Sequence, residues 1–165
     1  MPALLIESLR DQYSAETRLI QALPKMAKAA TNPDLKQAFE VHLSETMDQK
    51  ARLEGIFKAL NESPDGHTCA AMKGLIKEAE DAIESVTDAD VRDAAIIGMA
   101  QKIEHYEIAG YGTARTFARL LNHNDHADTL QSILDEEYHA DDTLTGLAEG
   151  FVNRAAKSTA ASASK

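Results

Sequence analysis

Tryptophan is absent from this 165-residue chain, aromatic residues make up only 5% of it, and a single cysteine stands at position 69. A lone thiol excludes a disulfide framework within the chain, and a reducing cytoplasm is the expected compartment. Turn-formers are scarce, with 4 prolines and 8 glycines. A β-sandwich or barrel needs more of them, together with more aromatic and β-branched residues. No uncharged apolar run approaches the ~18 residues of a membrane span. Met1–Glu7 lacks the basic start and the apolar length of a signal peptide, so neither membrane nor export is expected. Positive charge is also in short supply, because 17 basic against 27 acidic side chains give a net charge of −10. That balance excludes a groove for a phosphate backbone, so no nucleic-acid partner is expected. Alanine, by contrast, is abundant, with 28 residues in a chain that is 44% hydrophobic. Alanine is the strongest helix former, so a single all-α domain is expected.

The few breaks cluster. Asn32-Pro33 reads as a helix cap followed by proline at the first helical position. Ser63–Thr68 reads as a loop, Thr87-Asp88 as a second helix start, and Asn122–Asp125 as a short polar turn. Four long segments lie between them, over 3–30, 33–62, 88–121 and 125–153, with a shorter amphipathic one over 69–85. Pro24 is expected to kink the first. The tail 155–165 has no periodic apolar positions and is expected to be disordered outside a domain spanning 1–154. Short links make the first and second long helices one antiparallel hairpin, and the third and fourth another. The long crossover between the hairpins, carrying the short extra helix, predicts the ferritin-like variant of the antiparallel four-helix bundle.

Inward positions, taken at alternating steps of three and four, form stripes that are apolar at both ends and polar in the middle. The first helix places Glu16 between Leu9 and Leu23, and the third places Glu104 and Glu107 between Ile97 and Ala114. The fourth places Glu137 and Asp141 between Leu134 and Leu144. The second carries His42 and Gln49 on its apolar face and Glu45 at the edge. Ionised carboxylates gathered in a core cost several kcal/mol each. They must therefore be protonated or neutralised by cations. A hard oxygen set with an occasional imidazole suits two iron ions, or manganese, better than zinc.

Two motifs overlap in Glu136-Glu137-Tyr138-His139. Glu136 and His139 form the Glu-x-x-His spacing of carboxylate-bridged di-iron sites, but both fall off the leucine stripe, so Glu137 and Asp141 are taken as the inward pair. His42 is open to three roles: ligand, hydrogen-bonding partner of a ligand, or core histidine. Gln49 is a neutral oxygen donor one turn beyond Glu45. Tyr13, Tyr106 and Tyr111 fall close to the acidic zone, while Cys69, His67, His123 and His126 suggest no role.

Gln12–Glu16, His42–Thr46 with Gln49, Ala71–Ile76, and above all Glu104-His105-Tyr106-Glu107-Ile108-Ala109 closely resemble the YciF-type ferritin-like stress proteins. The likeness runs over nearly the whole chain. It implies a bundle, a homodimer and a dinuclear centre carried by Glu16, Glu45, Glu104, Glu107 and Glu137. The resemblance implies no particular activity. On the reading from the residues, O₂, peroxide or ferrous iron would be the small substrates. The alternative is a non-catalytic helical structural or interaction protein with a structural metal site or none. More distantly, Glu104 with Glu107 and the step to Glu137 are similar to rubrerythrin and bacterioferritin. The histidines those families place three residues after the second- and fourth-helix glutamates are replaced here by Asp48 and Ala140.

Overall fold

The structure is a computed structural model that describes residues 1–163. Its elements are α1 (Pro2–Ala29), α2 (Pro33–Leu60), α3 (Ala70–Ser85), α4 (Ala89–Leu120), α5 (Asn124–Leu147), a π-helical turn over Ala148–Val152, and α6 (Asn153–Ala163). No strand occurs among the described residues. α1 packs along α2 and α4 along α5, and the crossover lays α3 against α1 and α4. The two hairpins and the long connection expected from the loop lengths are both present.

Local chemistry sets the boundaries. The Asn32 side chain accepts from the backbone N–H groups of Asp34 and Leu35, and Pro33 occupies the first helical position. Asp88 caps α4 through the N–H of Val91. Cys69 does the same for α3, with its Sγ accepting from the Met72 N–H at 3.3 Å, while its own N–H donates to Ser14 Oγ of α1. A cysteine that suggested no role thus anchors the crossover helix. α4 stops where Asn122 adopts φ +61°, which lets the N–H groups of Asn122 and His123 close onto the carbonyls of Arg119 and Ala118. Pro24 lies inside α1 without ending it.

The α1–α2 turn is held from a third helix. Asp93 of α4, only 2% exposed, accepts from the backbone N–H groups of Thr31 and Asn32 and from the Thr31 hydroxyl. Asp93→Ala should strand those donors and cost about 3 kcal/mol in urea unfolding. A loss below about 1 kcal/mol would mean that solvent reaches them.

The C-terminal expectation is corrected. The segment from Ala155, expected to be disordered, continues as helix α6 to Ala163 and packs on α4. Val152 is buried just before it, and Thr159 Oγ1 donates to Asp90. Once an anchored turn supplies the nucleus, alanine-rich chain propagates as helix without an apolar stripe of its own. Ser164 and Lys165 lie outside the described residues. The fourth long segment is also divided, since the π turn interrupts it at Ala148.

Burial is split in two. One apolar cluster gathers Leu19 and Leu23 of α1, Phe39 of α2, Ile96 and Ile97 of α4, and Leu144 of α5. The other gathers Leu5 and Leu9, Leu53 and Phe57, Ala114 and Ala118, and Leu130 and Ile133 from the same four helices. Between the two clusters the interior is polar.

Candidate metal centre

That polar belt is where the mid-helix carboxylates meet. Glu16 is 0% exposed, Glu104 2%, Glu107 1% and Glu137 0%. The stripe that turns leucines inward above and below them turns these side chains inward as well. Ligand atoms of His42, Glu104, Glu107 and Glu137 lie within 4.8 Å of one another. His42 Nε2 is 3.3 Å from Glu104 Oε1 and 3.9 Å from Glu137 Oε2, and Nδ1 is 3.6 Å from Glu45 Oε2. Glu16 accepts a hydrogen bond from the buried Tyr111 hydroxyl.

The electrostatics follow from dehydration. Burial pushes Glu16 up to about 8, against the Tyr111 hydrogen bond, and pushes Glu137 up to about 7, against the pull of His42. Burial also raises Glu104 and Glu107 well above the usual carboxylate range. Neighbouring carboxylates add to it in both, and in Glu104 the His42 ring opposes it. For His42 itself, burial works against charge, but Glu104, Glu45, Glu137 and Glu16 outweigh it and push the imidazole up to about 10. These carboxylates favour the protonated form of the ring. Even so, Glu16 Oε2, Glu104 Oε2, both oxygens of Glu107 and both of Glu137 are buried without a hydrogen-bond partner, as are both nitrogens of His42. Buried carboxylate oxygens are normally paired, so this concentration is one that protons or a cation could satisfy.

The remaining sequence-predicted residues stand further out. Glu45 keeps 33% of its side chain exposed, and the adjacent His42 lowers its pKa. Asp141 is turned to the flank, where Oδ1 accepts from Gln101 Nε2 at 3.1 Å and Oδ2 lies 3.2 Å from His105 Nε2. Gln49 is fully buried, but its amide donates to Glu136 at 3.0 Å, and its Oε1 is left unpaired. Of the overlapping motifs, Glu137 is the interior residue. His139 is exposed and Glu136 pairs with Arg52. Tyr13 donates to Glu54 and Tyr106 to Asp11, so Tyr111 alone of the three tyrosines engages a carboxylate of the belt. Sequence reasoning passed over Arg52, which also lies 2.9 Å from Asp48 and whose charge helps hold Glu16 down. Its i,i+4 spacing from Asp48 was the available signal, and such pairs are common on solvated faces.

The residues from 2 to 157 match a family described as a domain of unknown function, DUF892. The chain belongs to the DUF892 family. Protein YciF of Escherichia coli (strain K12) is 45% identical to it over 158 residues, 95% of each chain. The solved structure of the E. coli stress protein YciF is similar with a TM-score of 0.88, covering 92% of this DUF892 chain and 96% of YciF. YcfI from Rhodopseudomonas palustris follows at 46% identity and a TM-score of 0.83, covering 86% of this chain and 90% of that one. A protein from Xanthomonas campestris pv. campestris reaches 0.76 at 25% identity, covering 92% and 93%. The chain is thus a DUF892 member of the YciF stress-protein type. Among its described residues, no helix is long and apolar enough to cross a membrane.

Proposed function

We propose that this DUF892 protein is a dinuclear iron or manganese protein acting on O₂, peroxide or ferrous iron under stress, as a homodimer. Glu16, Glu104, Glu107, Glu137 and His42 would hold the metals, with Glu45, Asp141 and Gln49 bordering them. The observation that carries this reading is the set of six buried carboxylate oxygens without a hydrogen-bond partner, five of them on residues whose ligand atoms gather within 4.8 Å together with His42. When bound, either metal would supply a redox-active Lewis acid for O₂ or peroxide. The chain's own part is to exclude bulk water with two apolar clusters, to hold the carboxylates from three helices, and to keep Glu16 oriented through Tyr111.

One observation favours a second reading, a non-catalytic bundle with a structural metal or none. The His42 cation already stands within 4.0 Å of three carboxylates and supplies part of the compensation. Elemental analysis after iron or manganese reconstitution separates the two. Two metals per chain are expected, and well under one equivalent would overturn the metal reading. Glu137→Ala should abolish one site, whereas Glu136→Ala and His139→Ala should be mild. With both metals confirmed, ferrous protein whose ultraviolet absorption does not change under excess peroxide would leave only a structural role for them.

A further inference from the structure

A cavity of about 290 Å³ runs between α2 and α5, bounded by Phe39 on one side and Leu144 and Leu147 on the other. His42 and Glu104 also line it, and at 5% and 2% exposure they can only form its innermost part. His42 is held only by ion pairs of 3.3–3.9 Å and makes no well-formed hydrogen bond, and Oε2 of Glu104 has no partner, so the floor offers a donor and an acceptor to an entering molecule. Asp34 and Glu45 stand among the outer residues.

This combination selects by charge and by shape. A hydrated cation would have to shed water against the apolar walls before it reached the polar floor, and an anion would pass two carboxylates on the way in. An uncharged molecule meets neither barrier. Apolar walls with a few convergent polar groups are also the usual make-up of a small-molecule site.

We propose that this cavity binds an uncharged organic molecule, a short alkyl chain or single ring with one hydrogen-bonding end. Its apolar part lies against Phe39, Leu144 and Leu147, and its polar end meets His42 and Glu104. The inference rests on the metal-centre reading for its meaning, since it gives that centre a substrate larger and less polar than peroxide, but binding itself needs no metal.

The test is calorimetric titration of the metal-free protein with primary alcohols from butanol to octanol, and with hexanoate. Saturable binding is expected, tightening about fourfold with each added methylene until the cavity is full. Hexanoate should bind at least about tenfold more weakly than hexanol. Ala140→Leu and Ala38→Leu, both at partly exposed positions lining the cavity, should weaken hexanol about tenfold, while Ala51→Leu on the exposed face of α2 should not. Hexanol that does not saturate, fillings without effect, or hexanoate binding as tightly as hexanol would each overturn the proposal. Metal content measured on the same preparation keeps the two readings apart. Metals without alcohol binding sink the cavity, and alcohol binding without metals sinks the centre.

Discussion

Loading the metal-free protein with iron(II) or manganese(II) at both proposed sites is expected to raise its melting temperature by about 20 °C. A ligand held at a thousand times its dissociation constant stabilises the folded state by about 4 kcal/mol per site. In a domain of this size each kcal/mol moves the midpoint by about 2–4 °C. The gain is real only if the unfolded chain binds weakly, and here the proposed ligands come from separate helices, Glu16 in α1, His42 in α2, Glu104 and Glu107 in α4, and Glu137 in α5. Glu137→Ala should remove about half of the shift, and Glu149→Ala, exposed in the π turn, none of it. Differential scanning calorimetry reads both. A metal-free form as stable as the loaded one would mean that protonation and the His42 cation satisfy the belt by themselves.

The second large effect concerns the metal-free protein between pH 5.5 and 8.5. Burial holds Glu137 at about 7 and Glu16 at about 8, both above the ordinary value of 4.5, so the folded state keeps protons that the unfolded chain has released. Their contribution to stability is full below pH 4.5 and is lost as pH rises through 7 and 8. His42, raised from 6.5 to about 10, has the same sign and loses its contribution as pH rises through 10. Glu45 is lowered and acts oppositely, losing its contribution as pH falls, but it is one-third exposed and screened. Urea unfolding should therefore show at least about 2 kcal/mol less stability at pH 8.5 than at pH 5.5. Bound metal should flatten that slope, because the ligands are then deprotonated throughout. A metal-free profile that is flat or rising would show that the buried carboxylates are neutralised by some other means.

Much of this was legible because it is written in local periodicity. The bundle, its crossover and the inward phase of Glu16, Glu104, Glu107 and Glu137 all follow from a 3.6-residue repeat and short links. That repeat also placed Glu137, rather than Glu136 or His139, in the interior, but not its expected partner Asp141. Residues at the edge of a stripe were harder to read. Asp141 sits one turn beyond Glu137, yet Gln101 and His105 of the neighbouring helix draw it to the flank. Gln49 is on the stripe, but its amide is taken by Glu136.

By itself, then, the sequence determined the helices, their order, and the inward turn of Glu16, Glu104, Glu107 and Glu137, since each of these depends on residues a few positions apart. Only the tertiary structure decided that His42 sits among those carboxylates as their counter-charge, that Cys69 caps α3, that α6 extends to Ala163, and that a cavity reaches Glu104 between α2 and α5. Apart from the Cys69 cap, which reaches only to Met72, these depend on partners 60 or more residues away, as between His42 and Glu104, or on the space left where two helices pass. A helical repeat specifies which face turns inward, but not what that face will meet.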